Sequence, residues 1–133
     1  MTAEYVWPDQ EQVTAYLRRR MEAEGVTLQI ARPDDLTAGF DRARTAADSE
    51  PDATPFRLAA LMFEGIATRH ALVDGNRRLA WLGAIVFLDL NGWYLDAPEI
   101  AAFEIGMAVI KRENTTDDLA VFFERYAIDD RAA

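Results

Sequence analysis

The chain has 133 residues, 50% of them apolar and 28% charged, which predicts a single globular domain over residues 1–133 and excludes a disordered chain. It contains no cysteine, so disulfides, thiolate metal sites and thiol nucleophiles are excluded. A net charge of −9 disfavours nucleic-acid binding, because phosphate backbones repel an acidic protein. The first residues do not read as a signal peptide, and the longest apolar run, residues 79–88, is too short to span a bilayer. We therefore expect a cytoplasmic protein with no membrane or nucleic-acid partner.

Capping residues and apolar periodicity predict six helices in chain order. Asp9 caps the first helix and Gly25 ends it, while the alternation that follows predicts a short extended segment. Thr54 followed by Pro55 opens the third helix, since a capping hydroxyl precedes proline at the first helical position. Asp96, before Pro98, is expected to open the fifth. The predicted helices cover residues 9–24, 33–47, 54–69, 76–90, 96–112 and 115–126, with an extended segment at 26–30 and a loop at 47–52.

The fourth predicted helix has no charged side chain on any face between residues 79 and 88. A helix that is apolar all round is buried on all sides, so we expect it to be the central helix. Near the other end of the chain, Thr115 with Asp118 three residues later resembles a capping box, with Asp in place of Glu. The fold class predicted from these elements is all-α.

The start of the fourth helix has the features of an anion site. Gly75 forms a turn with the preceding aspartate, and the backbone N–H groups of a helix start can bind an anion. Arg77 and Arg78 in the same turn add positive charge and planar forks that match phosphate. Arginines at a positive helix end are unfavourable unless compensated. A basic site on an acidic protein therefore indicates a small anionic ligand.

Two side chains just before this helix could carry chemistry. His70 is the only histidine in the chain, and its neutral imidazole could take a proton from an attacking hydroxyl. Asp74 offers the hard oxygen ligand that a magnesium-bound nucleotide needs. Taken singly, a histidine at a helix end is more often structural, and Asp-Gly-Asn is more often only a turn. Taken together, they are the parts needed for phosphoryl or nucleotidyl transfer.

Residues 70–78 read His-Ala-Leu-Val-Asp-Gly-Asn-Arg-Arg, and residues 87–92 read Phe-Leu-Asp-Leu-Asn-Gly. This order resembles the Fic/Doc family, whose pattern is His-Pro-Phe-x-x-Gly-Asn-Gly-Arg. In its Doc (death-on-curing) branch, Lys replaces the second Gly of that pattern. The resemblance covers roughly residues 26–126. It implies a Fic/Doc helical bundle of about six helices, in which residues 28–34 form an extended flap that can hold a target peptide.

The resemblance also implies roles for the motif residues, with ATP and Mg²⁺ as cofactors. His70 matches the catalytic base and Asp74 the metal ligand, while the nucleotide phosphates are expected at Gly75, Asn76, Arg77 and Arg78. Four residues depart from the family pattern: Ala71 and Leu72 replace Pro-Phe, Arg77 stands where Doc proteins have Lys, and Trp81 stands where the longer Fic pattern has a second arginine.

A Doc-like protein is expected to be a toxin that acts as an ATP-dependent protein kinase on translation elongation factor Tu. The family's inhibitory pattern, Ser/Thr-x-x-x-Glu-Gly, is incomplete at Glu64-Gly65, because Ala60 occupies the hydroxyl position. Inhibition is therefore expected from a separate antitoxin chain, whose amphipathic helix would fill a groove on helix one or helix three. The alternatives are a Fic-type transferase of AMP or another nucleotide, a degenerate non-catalytic binding module and, distantly, a nucleic-acid-binding bundle.

Overall fold

The computed structural model describes residues 4–132 and confirms the all-α prediction. Within that range the helices are α1 (Gln10–Ala23), α2 (Pro33–Ser49), α3 (Pro55–Ala67), α4 (Asn76–Leu90), α5 (Glu99–Ile110) and α6 (Thr116–Tyr126). Two short strands, β1 (Trp93–Leu95) and β2 (Ala127–Asp129), pair antiparallel and were not predicted; a 3₁₀ turn, Asp130–Ala132, follows them. No helix in the described residues is both long and apolar enough to cross a membrane.

Most of the predicted helix caps are present. The Asp9 carboxylate accepts from the Gln12 amide at 3.1 Å, and the Thr54 hydroxyl accepts from the Arg57 amide at 3.1 Å. The capping box at Thr115 is also complete, with both reciprocal bonds to the third residue of α6 in place. Asp96 was the wrong cap for α5. Its amide instead donates to the Tyr126 carbonyl at 3.0 Å, extending the small sheet, and α5 begins only after Pro98.

The central helix is α3, so the prediction that α4 would be central was wrong. Helix α3 packs against α2, α4, α5 and α6, and its middle is buried on every side. The charged side chains of α3 made it look less buried in the sequence, but each has a partner. Arg57 forms ion pairs with Glu50 and Asp117, and the Glu64 carboxylate accepts a hydrogen bond from the Thr116 hydroxyl. Helix α4 buries only one face, formed by Leu79, Ala80, Gly83, Ala84, Phe87 and Leu88.

Each flank of α4 lines a concave surface at the margin of the core, against which Leu82 and Val86 also pack. On one flank, Leu82, Val86 and Leu90 face Val13 and Tyr16 of α1 across a concavity of about 330 Å³, which we call the α1–α4 groove. The absence of charge along α4 therefore reflects two partly open apolar surfaces as well as the core.

Helices α2 and α3 touch through their backbones. A Cβ atom added to Gly39 would lie 2.8 Å from the Gly65 carbonyl oxygen, and one added to Gly65 would lie 2.7 Å from the Gly39 carbonyl oxygen. Both distances are shorter than any ordinary contact, so only glycine fits at either position. This crossing fixes α3 against α2, and the C-terminal end of α3 leads directly into the motif.

Two distant segments, one around Val6 and one around Asp130, contact the turn that follows α4. The Asn91 side chain accepts from the Val6 amide at 2.9 Å and donates to the Val6 carbonyl at 2.8 Å. The next residue, Gly92, accepts from the Asp130 amide at 2.9 Å. This turn lies at the opposite end of α4 from the motif.

Candidate active site

His70 occupies a strained position between α3 and the motif loop. The helix ends at Ala67, and His70 has a φ of +53°, in the left-handed region that a side chain disfavours by about 1–2 kcal/mol. Its side chain is exposed to solvent. Strained non-glycine residues cluster at functional sites, where the surrounding structure holds them. The imidazole is therefore accessible beside the motif loop; Arg112, which follows α5, has a similar φ of +62°.

The loop after His70 is fixed by the extended segment that precedes α2. The Ala71 carbonyl accepts from the Ala31 amide at 2.8 Å, and the Val73 amide donates to the Gln29 carbonyl at 3.0 Å. Ala71 and Leu72 are both buried, so they anchor the loop in the absence of Pro-Phe. One edge of the predicted flap is therefore already used by the motif loop. The extended part is also shorter than expected, because α2 begins at Pro33.

Asn76 closes the motif loop from the inside. Its side-chain oxygen accepts from the Leu72 amide at 2.9 Å, and its side-chain nitrogen donates to the Leu72 carbonyl at 2.9 Å. Both polar groups of the amide are thus used within the protein. The Asn76 side chain therefore shapes the loop, and its backbone N–H lies at the start of α4.

The start of α4 has no side-chain cap, which is also true of α2 and α5. Gly75 precedes it with a φ of +95° and contributes no capping group, whereas Asp9, Thr54 and Thr115 cap α1, α3 and α6. The first amide bonded back to the turn is that of Leu79, which donates to the Gly75 carbonyl. Among the described residues, the three amides before it have no backbone partner outside the helix. Such a helix start can take an anion.

The two arginines of the motif point to different neighbours. Arg78 forms a bidentate ion pair with Glu24, the residue that ends α1, with nitrogen–oxygen distances of 2.9 and 3.3 Å. Arg77 places its guanidinium over the ring of Phe103 on α5, 4.7 Å from the ring centroid. The structure thus keeps Arg78 on the α1 side of the helix start and turns Arg77 towards α5.

A pocket of about 300 Å³ adjoins Arg77 between α4 and α5. Phe63 and Trp81 form part of its wall, and Glu99 lies at its edge. Trp81 thus takes part both in the aromatic core, through Phe123, and in this pocket. An aromatic wall beside a cation suits a flat heterocycle attached to an anion.

Asp74 is exposed on the motif loop, as the metal-ligand prediction requires. Within the described residues, no cluster of three or more His, Cys, Asp or Glu side chains could hold a metal by itself. Magnesium typically uses one or two carboxylates together with substrate phosphates. The Asp74 carboxylate therefore fits a cation that arrives with a nucleotide, and it does not fit a resident protein-only metal site.

These features define a helical protein whose motif joins an exposed histidine to an open, arginine-flanked helix start. A model of the Fic/DOC family matches residues 3–88, and the chain belongs to this family. The chain is also similar to Toxin Doc from Mycolicibacterium smegmatis (strain ATCC 700084 / mc(2)155), with 41% identity over 68 residues. That alignment covers 51% of this chain and 45% of the relative, so it spans less than half of the relative's length.

Sequence reasoning missed two neighbours of the site, Glu24 and Phe103. Glu24 lies 54 residues before its partner Arg78, and Phe103 belongs to a helix that follows the motif. Neither contact has a local sequence signal, because each depends on how helices pack together. The Glu64-Gly65 pair considered as an inhibitory element has structural roles instead: Glu64 accepts from Thr116, and Gly65 lies at the α2–α3 crossing.

Proposed function

We propose that this protein is a toxin of a toxin–antitoxin system that transfers the γ-phosphate of ATP to a hydroxyl of a target protein. The observation that carries the proposal is the motif itself: an exposed, strained His70 precedes an uncapped helix start beside Arg78. Membership of the Fic/DOC family and the similarity to Toxin Doc support it.

In the proposed reaction, the nucleotide phosphates bind the free amides at the start of α4 and the Arg78 guanidinium. His70 accepts the proton of the target hydroxyl while the hydroxyl oxygen forms a bond to the γ-phosphorus, and ADP leaves. Magnesium, held by the phosphates and Asp74, would supply charge neutralisation. The pocket beside Arg77 has room for the adenine ring of the nucleotide. We propose elongation factor Tu as the target, as the Doc-like form of the motif implies.

AMP transfer is the second candidate function, and the position of the Arg77 side chain supports it as an alternative. The resemblance implies that a bulky cation at this place obstructs the nucleotide pose of AMP-transferring Fic proteins. The Arg77 guanidinium lies instead over Phe103, away from the turn, so the obstruction is smaller than the sequence indicated. The two reactions differ in which phosphorus is attacked, and this difference can be measured directly.

The test is incubation of purified protein and elongation factor Tu with ATP labelled at either the α or the γ phosphate. Transfer of γ label is expected, with strongly reduced transfer in Asp74→Ala and Arg78→Ala. Arg19→Ala is the matched control, since it removes an exposed arginine of α1 outside the motif. Transfer of α label would replace the kinase proposal with AMP transfer. No label in any protein would favour the non-catalytic alternative.

We further propose that the antitoxin inserts an amphipathic helix into the α1–α4 groove. The two helices that sequence reasoning considered are now distinguishable, because the apolar side chains of α3 are buried whereas Leu90 is 46% exposed in the groove. Asp9 lies at the groove, and the whole chain carries a charge of −9, so a partner helix with basic flanks is favoured over a second copy.

A growth assay with a co-expressed antitoxin tests this surface. Leu90→Asp places a charge in the groove and is expected to leave the toxin active but poorly neutralised. Ile100→Asp is the control, because Ile100 is 75% exposed on α5 and lies outside the groove. Equal neutralisation of both variants would exclude the groove as the docking site.

A further inference from the structure

The arginine assigned to the phosphates is already bonded to a carboxylate of the same chain. Arg78 Nη2 lies 2.9 Å from Glu24 Oε2, and Arg78 Nη1 lies 3.3 Å from Glu24 Oε1. Both oxygens of the carboxylate and both terminal nitrogens of the guanidinium take part. This is the same fork that would bind two oxygens of a phosphate group. A phosphate and Glu24 therefore compete for the same donors.

Packing of α1 against the motif turn places Glu24 at this position. A Cβ atom on Gly75 would lie 3.1 Å from Met21 Sδ and 3.7 Å from Leu17 Cδ2, so the last turns of α1 lie directly against the turn. Glu24 ends α1, and the chain turns away at Gly25, which has a φ of +84°. The carboxylate is thus presented to the start of α4 by a packed helix, not by a free loop.

The ion pair between Arg78 and Glu24 is weak enough for a phosphate to replace the carboxylate. Side-chain exposure is 39% for Arg78 and 53% for Glu24, and ion pairs exposed to this degree contribute little. The hydrogen bond from Arg78 lowers the pKa of Glu24, which favours the charged carboxylate. Arg20, one turn earlier on α1, also lowers this pKa by its charge. Arg20 can therefore stabilise the carboxylate after a phosphate has displaced it.

We propose that Glu24 is a competing counter-ion of Arg78 that lowers the affinity of the protein for nucleotide phosphates. The inference rests on the proposed function, because it assumes that Arg78 binds phosphate. Each binding event then exchanges one ion pair for another at the motif. The affinity for nucleotide is set by α1 as well as by the motif.

Calorimetric titration with magnesium and a non-hydrolysable ATP analogue tests the proposal on the parent and three variants. Glu24→Gln removes the competing charge and is expected to bind the analogue roughly two- to fivefold more tightly, the size expected for an exposed pair. Glu22→Gln is the matched control: it removes one exposed carboxylate from the same helix, and Glu22 has no side-chain partner among the described residues. It is expected to bind as the parent does. Arg78→Gln is expected to bind more weakly.

The outcomes separate this proposal from the proposed function. Suppose that the parent binds the analogue and Arg78→Gln binds it more weakly. If the affinity of Glu24→Gln is then equal to or lower than that of Glu22→Gln, the proposed function stands and the counter-ion proposal is overturned. Weaker binding by Glu24→Gln would mean that Glu24 positions Arg78 for the phosphate. Unchanged binding by Arg78→Gln overturns the counter-ion proposal as well. If none of the four proteins binds the analogue, the proposed function itself is overturned. Circular dichroism of each variant checks that the helices are intact.

Discussion

His70 and Arg78 lie at opposite ends of one motif, yet contacts of different kinds hold them. The His70 end is positioned by backbone: α3 crosses α2 at Gly39 and Gly65, and backbone hydrogen bonds tie Ala71 to the extended segment. At the other end of the motif, the Arg78 side chain is held by one exposed ion pair with Glu24. The backbone contacts are specific to one geometry, whereas the ion pair can be exchanged at little cost.

The difference corresponds to the proposed roles. A base must lie within hydrogen-bond reach of the proton that it removes, so its position tolerates little variation. A phosphate-binding arginine has to release its product and take a new ligand in every cycle. The following predictions test this division, beginning with the largest expected effect.

Removing the imidazole should abolish transfer without harming the fold. We expect His70→Ala to lower the transfer rate by about 10²–10⁴-fold, the usual contribution of a general base. His70→Gly should be equally inactive but more stable than His70→Ala by about 1 kcal/mol, because glycine accepts the positive φ of this position. Label transfer and urea unfolding measure the two effects. An active His70→Ala would exclude His70 as the base.

A methyl group at the crossing of α2 and α3 should disturb the His70 end through the backbone. Gly65→Ala places a Cβ 2.7 Å from a carbonyl oxygen, and overpacking of this kind costs about 1–3 kcal/mol or more. Gly83→Ala is the control, since its Cβ would meet the Ile66 Cδ1 atom at 3.1 Å, and a side chain can move. Urea unfolding should show the larger loss for Gly65→Ala. Similar losses would mean that the crossing is not rigid.

Loss of the hydrogen bonds between Asn76 and Leu72 should have an intermediate effect on stability and transfer. Asn76→Ala removes both hydrogen bonds to Leu72 and leaves partly buried backbone groups unpaired, at a cost of about 1–3 kcal/mol. Asn76→Asp keeps an acceptor for the Leu72 amide and should lose less stability. Both should reduce transfer, because the loop that carries Asp74 loosens. The melting temperatures of the two variants test whether the Asn76 side chain closes the loop. If both variants are as stable as the parent, the side chain does not hold the loop.

The smallest effect concerns the titration of Glu24. Its pKa is lowered by the hydrogen bond from Arg78, so carboxyl NMR should place the midpoint below the ordinary value of 4.5. Because the folded pKa is the lower one, the pair stabilises the fold above the ordinary value and is lost as pH falls through the lowered pKa. Arg78→Gln should return the midpoint towards 4.5. Arg57→Gln, which releases Glu50, should leave Glu24 unchanged.

Local features of the sequence predicted much of this fold. The caps at Asp9, Thr54 and Thr115 depend on residues three positions apart, and all three are present. The motif was also local, and the family that it resembled is confirmed. The roles of His70 and of the phosphate-binding residues remain predictions.

What the sequence could not provide depends on contacts between distant segments. Helix α3 contains charged residues and looked less buried than α4, but partners on α2 and α6 satisfy those charges. The β1–β2 pair joins strands of three residues each, too short for a periodic signal. The neighbours of the two motif arginines were likewise set by helix packing.

The contact of two distant segments, around Val6 and around Asp130, with Asn91 and Gly92 has a practical consequence for protein engineering. Helix α4 has 15 residues, so this turn lies about 22 Å along the helix from the motif. Labels attached to exposed side chains near Val6 or Asp130 would lie at the same end of the molecule. Attachment of the protein to a solid surface through that end would leave the motif facing solution.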